Sequence, residues 1–243
     1  MKDIDCLISV FDLGIEFDQP GDKPVTIFKG VNFSLAPKEL IALMGPNGCG
    51  KTTLLRIIAG ELTQTSGKIF FVNQDVDGSL VHKRARFIGR VSQESYKSLA
   101  SELTVEESLA LANKRNSKLA LNFPKLNDVL DIISKLSEKA ADFIIQRKNL
   151  ATRILSGGQR QLLAIIVAVL GQPKVLLLDE HLASLDEEIK IVADELVMSV
   201  VNNKNVSVLV ASHDFKWVER MCTKVARFER GIVKINLLEK NGL

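Results

Sequence analysis

Apolar and polar residues alternate along the first third of the chain. CLISVFDLGIEF (6–17) and GVNFSLAP (30–37) carry a side-chain period of two, and the polar QPGDKP between them breaks it. Two strands and a loop follow from that pattern. ELIALMG (39–45) is a nearly unbroken apolar run, the mark of a buried strand. It leads through PNGCGK into TTLLRIIAG, whose apolar residues recur at helical spacing and end on glycine. TSGKIFFVNQ (65–74) and RFIGRVSQ (86–93) predict further strands. From Glu94 to Gln159 the pattern changes: LTVEESLALANKR and KLNDVLDIISKLSEKAADFI have helical periodicity. QRQLLAIIVAVLG is then a buried helix, KVLLLD a buried strand, EEIKIVADELVMSVVNN an amphipathic helix and VSVLVASH another buried strand. KVARFERGIVKIN predicts a hairpin. Buried strands separated by helices point to an α/β fold with a parallel sheet.

Composition narrows the class. The chain has 243 residues, enough for one large domain or a core with a subdomain. Hydrophobic residues make up 46% and charged residues 25%, which is globular rather than disordered. A net charge of +3, with no block of like charges, gives no sign of a nucleic-acid partner. Cys6, Cys49 and Cys222 are far apart and form no CxxC, as expected of a reduced cytosolic protein without a zinc site. Asp3, Asp5 and Asp12 interrupt the N-terminal apolar residues, so no secretory leader is expected. The longest apolar run, LLAIIVAVL, falls short of the roughly 18 residues of a membrane span.

GPNGCGKT (45–52) fits GxxxxGK[ST] between a predicted strand and a predicted helix. Gly45, Gly48 and Gly50 let the backbone curl around an anion, while Pro46, Asn47 and Cys49 complete the loop. The following helix turns its N-terminus to the phosphates. Lys51 brings a point charge to the β- and γ-phosphates, Thr52 a hydroxyl to Mg²⁺, and Thr53 a hydroxyl near the α-phosphate. Cys49 reads as a small packing residue rather than a nucleophile.

VLLLDE (175–180) ends a buried strand in two acids. Ligands of open α/β sheets bind beyond the carboxyl ends of strands. Asp179 is therefore expected to reach Mg²⁺ through water, and Glu180 to act as general base or water positioner. A metal site made of Asp179, Glu180 and His181 alone is disfavoured, because neighbours on a strand face opposite ways.

LSGGQ (155–159) lies between the helical stretch and the next helix. With GPNGCGKT before it and LLLDE after it, the sequence resembles the ATP-binding subunit of ABC transporters over nearly its whole length. The resemblance implies a P-loop NTPase with a RecA-like parallel sheet core, an antiparallel β subdomain and an inserted helical subdomain. Residues 1–93 and 160–243 would form the nucleotide-binding core, and 94–159 the helical subdomain. It also implies that Ser156, Gly158 and Gln159 grip the γ-phosphate of ATP held by a second subunit. Gln93 would touch Mg²⁺ and the attacking water, His213 the γ-phosphate, and Asp186 the dimer interface, although ASLD here replaces the usual SALD. Phe17 is matched to the aromatic that stacks on adenine, with Phe11 and Phe28 as alternatives.

His181 stands where most members carry proline, and RQLLAIIVAVL is poorer in arginine and alanine than usual. Both features, with HKRARFIGRVSQ, resemble a less-characterised importer branch serving small solutes. For His181 a loop-packing role outweighs a catalytic one, and His82 reads as a surface residue. The implied machine is a homodimeric or heterodimeric, Mg²⁺-dependent ATPase. It would sit peripherally on the inner face of the cell membrane, beside transmembrane permease subunits and an extracytoplasmic solute-binding receptor. Two rivals are an ABC-type ATPase of iron–sulfur assembly and a nucleotide-switched binding module. Glu180 and His213 argue against the second.

Overall fold

The computed structural model describes residues 6–21, 23–76, 81–94, 99–114, 125–180, 185–229 and 232–237. Their elements begin with β1 (Ile8–Phe17), β2 (Val25–Leu35), β3 (Leu40–Met44), α1 (Lys51–Ala59) and β4 (Ser66–Phe71). Next come β5 (Gln74–Asp75), α2 (Val81–Arg84), β6 (Ile88–Val91), α3 (Val105–Lys114), α4 (Leu126–Ser134) and α5 (Glu138–Arg147). The rest are α6 (Gly157–Leu170), β7 (Val175–Asp179), α7 (Glu187–Lys204), β8 (Ser207–Ala211), α8 (Phe215–Met221), β9 (Lys224–Glu229) and β10 (Ile232–Leu237). Among the described residues, no helix is long and apolar enough to cross a membrane.

The chain divides into two compact units, the first drawn from Met1–Ile88 and Ser207–Leu243. One of its sheets is antiparallel, in the order β2-β1-β4-β5. The register of β1 slips between Val10 and Leu13, where Asp12 takes a φ of 48°. This bulge lets Ile8 and Val10 before it, and Leu13 and Ile15 after it, all be buried. In its other sheet β3 lies between β8 and β9, parallel to both, and β10 pairs antiparallel with β9. Leu40–Leu43 and Val208–Ala211 are buried throughout, as strands covered on both faces require.

Arg84 anchors the far end of α1. Its guanidinium donates to the carbonyls of Ile57 (2.8 Å), Ile58 (3.1 Å) and Val76 (2.7 Å). It meets the negative end of the helix dipole and adds to the capping of the last carbonyls, of which that of Ile57 also accepts from the Gly60 amide (3.0 Å). The periodicity reading did not identify α8. Asp214 caps it by accepting from the Trp217 amide (3.0 Å), and Trp217, Val218 and Met221 bury its apolar side.

The second unit is Gly89–Val206. In it β7 lies beside β6. Helix α3 packs against α6, α4 against α5, and α6 against α7. The periodic run from Lys125 to Ile144 is two helices rather than one. Ser137 interrupts it, its hydroxyl accepting from the Ala140 amide (3.2 Å) to start α5.

Candidate nucleotide site

The phosphate loop joins β3 to α1 in the first unit. Gly45 has φ 156°, and a Cβ there would come within 2.9 Å of the Phe228 carbonyl oxygen and of Cys49 Sγ. Gly50 has φ 105° and stands at the N-cap of α1. A Cβ on Gly50 would meet Ile27 and Phe28 at 2.8 Å. Both positions therefore demand glycine on two counts, backbone sign and space. Lys51 is buried, its ammonium donating to the carbonyls of Gly45 (2.9 Å) and Pro46 (3.1 Å). A strongly hydrated charge is thus fixed within the loop by the loop's own backbone. Pro46, Asn47, Gly48 and Thr52 are exposed, whereas Cys49 and Thr53 are half-buried.

His213 follows β8 in the same unit and is exposed. The turn that carries it is pinned by the Asp214 amide, which donates to Ser212 Oγ (3.1 Å). The three candidate aromatics differ in their surroundings. Phe28 is fully buried and meets Phe228 edge to face at 6.2 Å. Phe11 packs edge to face on Phe70 at 5.7 Å. Phe17, at the end of β1, is 43% exposed.

The carboxylates lie in the second unit. Strand β7 ends at Asp179, which is buried; Glu180 lies beyond the strand with φ 47°. The left-handed backbone turns the chain at once, so the alternation of side chains along a strand no longer governs Glu180. A non-glycine residue there costs about 1 kcal/mol and is found where the surroundings impose it. Gln93 Nε2 donates to Glu180 Oε2 at 3.1 Å, 87 positions apart in sequence. Beside them, Arg90 Nη2 on β6 lies 3.7 Å from Asp179 Oδ2. Sequence reading did not single out Arg90, since only the pairing of strands brings it to Asp179.

LSGGQ forms the start of α6. Ser156 is its N-cap: Ser156 Oγ accepts from the Gln159 amide (3.2 Å), and Gln159 Oε1 accepts from the Ser156 amide (3.1 Å). This reciprocal box holds the first turn rigid. Gly157 is exposed and Gly158 buried, so the turn's backbone is bare of side chains where it begins. Arg160 braces the approach by donating to the Leu155 carbonyl (2.6 Å). Asp186 is exposed and caps α7, accepting from the Ile189 amide (2.9 Å). His82 is exposed on α2. His181 lies outside the described residues. An apolar groove of about 610 Å³ runs between α3 and α4, lined by Leu103, Ala110, Leu111, Leu126 and Val129 with Glu106 and Glu107.

A glycine loop that encloses a lysine between a parallel strand and a helix defines a P-loop nucleotide hydrolase. The family described as ABC transporter matches residues 28–183. The chain is 30% identical to the tyrosine transport ATP-binding protein of Clostridioides difficile, over 96% of this chain and 93% of that one. It is 31% identical to the sulfate/thiosulfate import ATP-binding protein of Nitrosomonas europaea, covering 93% of this chain but only 59% of that one. A dimeric bacterial ABC transporter cassette superimposes with a TM-score of 0.83 at 25% identity, over 97% of this chain and 100% of the other. The chain belongs to the ABC transporter family, as an ATP-binding and ATP-hydrolysing cassette.

Proposed function

We propose that the chain powers import of a small solute, as a peripheral ATPase on the inner face of the cell membrane. Two copies would close head to tail over two ATP molecules, each held by the phosphate loop of one copy and LSGGQ of the other. The γ-phosphate then bridges the halves only in the closed form, which is the differential interaction that drives closure. A relative named for tyrosine transport supports a transport role, and one named for sulfate/thiosulfate import supports this direction. A coupling helix of the permease subunits would dock in the groove beside Gln93 that the helical subdomain, 94–159, lines. A solute-binding receptor would complete the system.

Within each site Gly45, Gly48, Gly50 and Lys51 hold the phosphates, with Pro46, Asn47, Cys49 and Thr53 shaping the loop. Phe17 stacks on adenine, supported by its exposure where Phe28 is fully buried and Phe11 is half-buried against Phe70. Thr52, Asp179 and Gln93 would hold Mg²⁺. The donor set fits: all three offer oxygen, and Gln93 spends its amide nitrogen on Glu180, which leaves its carbonyl oxygen as the ligand atom. The ion's contribution is to neutralise phosphate charge. Glu180 takes the proton of the attacking water, and His213 contacts the γ-phosphate. Ser156, Gly158 and Gln159 act on the partner's nucleotide, and Asp186 lies at the shared interface.

The observation that carries the hydrolytic part is the Gln93–Glu180 hydrogen bond, which fixes the base and its water-positioning neighbour together. Affinity capture of the tagged chain from detergent-solubilised membranes is the test of the transport part. A multi-span membrane protein should come with it. Recovery of soluble partners alone would contradict the transporter reading.

A further inference from the structure

We propose that Arg90 is a positioning residue: it is the resident counter-charge of Asp179 and sets how much magnesium the chain needs to hold ATP. The inference rests on the reading of Asp179 as a magnesium ligand. Arg90 and Asp179 sit on the adjacent strands β6 and β7, and Arg90 Nη2 lies 3.7 Å from Asp179 Oδ2. Their side chains are 17% and 2% exposed. An ionised carboxylate this deeply buried needs a compensating charge or strong hydrogen bonds. Arginine supplies a charge that does not titrate away.

Magnesium is then a second cation for the same carboxylate. Two cations drawn to one buried acid repel each other, and the weak screening of the site strengthens that repulsion. Arg90 therefore acts in two opposite directions. It stabilises Asp179 when no metal is there, and it weakens the hold on the metal when one is. A purely structural ion pair would do only the first. The opposition is what an experiment can read.

The probe is a fluorescent ATP analogue, trinitrophenyl-ATP, at fixed concentration, with MgCl₂ titrated into the full chain. Wild type, Arg90→Met and Arg90→Lys are compared. Arg90→Met removes the charge and keeps most of the apolar stem. Its half-saturating magnesium concentration should fall about fivefold or more. Arg90→Lys keeps the charge and should stay near wild type. An unchanged midpoint in Arg90→Met would overturn the proposal. Thermal melts supply the second readout. In EDTA, Arg90→Met should melt below wild type, and MgATP should raise its melting temperature by more than it raises that of wild type. Equal gains would also overturn it. Should Arg90→Met show no cooperative melt in EDTA, either MgATP or the added Asp179→Asn change should restore one; failure of both would leave the pair merely structural. A wild type whose nucleotide binding ignores magnesium altogether would sink the metal reading of Asp179, and the inference with it.

Discussion

Glu180→Gln should lower ATP turnover by about a hundredfold to ten-thousandfold while ATP still binds. The amide matches the carboxylate in size and keeps an oxygen to accept from Gln93 Nε2, so the local geometry survives. What it cannot do is take a proton from water. The placement of Glu180 makes the effect specific: its backbone lies at φ 47°, immediately after the last residue of β7. The left-handed turn and the hydrogen bond to Gln93 hold one carboxylate in one place. Phosphate release and equilibrium ATP binding, measured on the same protein, separate the two effects. Turnover at the wild-type rate would remove Glu180 from the role of base.

Changing the LSGGQ turn should be nearly as severe. Gly158 is buried in the first turn of α6, between the residues of the Ser156–Gln159 capping box. Gly158→Asp would put a negative side chain where an anion is to be bound, and turnover should fall about a hundredfold or more. ATP binding to the same chain's phosphate loop should persist, because that loop is a separate element. Lys51→Ala should do the reverse and abolish binding. Mixing the two inactive variants then gives a decisive result. A mixed dimer pairs one intact loop with one intact LSGGQ, so part of the activity should return. If mixing restores nothing, the two motifs do not complement each other across chains.

Much of this was legible in the residues because short-range rules decide it. The glycine loop, the apolar strands ending at Asp179 and Ala211, and the helix that follows LSGGQ all follow from local pattern and spacing. Even the Ser156-x-x-Gln159 capping box can be read as a sequence signal. Helix α8 was also within reach, since Asp214 is a strong N-cap residue three positions before Trp217. The break at Ser137 escaped because helical periodicity alone runs across it, and only the cap divides it.

Other features have no local signal. The slip at Asp12 follows from how β1 meets β2 and β4, not from its own alternation. In sequence Arg84 and Arg90 lie in HKRARFIGR, just before and within the predicted strand 86–93, and nothing local names a partner for either. In the structure one is buried against carbonyls of α1 and the other faces Asp179. Both partners lie far along the chain or across a strand pair. The choice among Phe11, Phe17 and Phe28 likewise needs burial, since all three sit in similar apolar surroundings in sequence.

ATP-dependent pairing of two copies tests the central claim most directly. Light scattering of the Glu180→Gln protein, which should bind ATP without consuming it, reads the mass in solution. With MgATP the mass should be that of two chains, and with MgADP it should return to one. A protein that binds MgATP and stays at the mass of one chain would contradict the account.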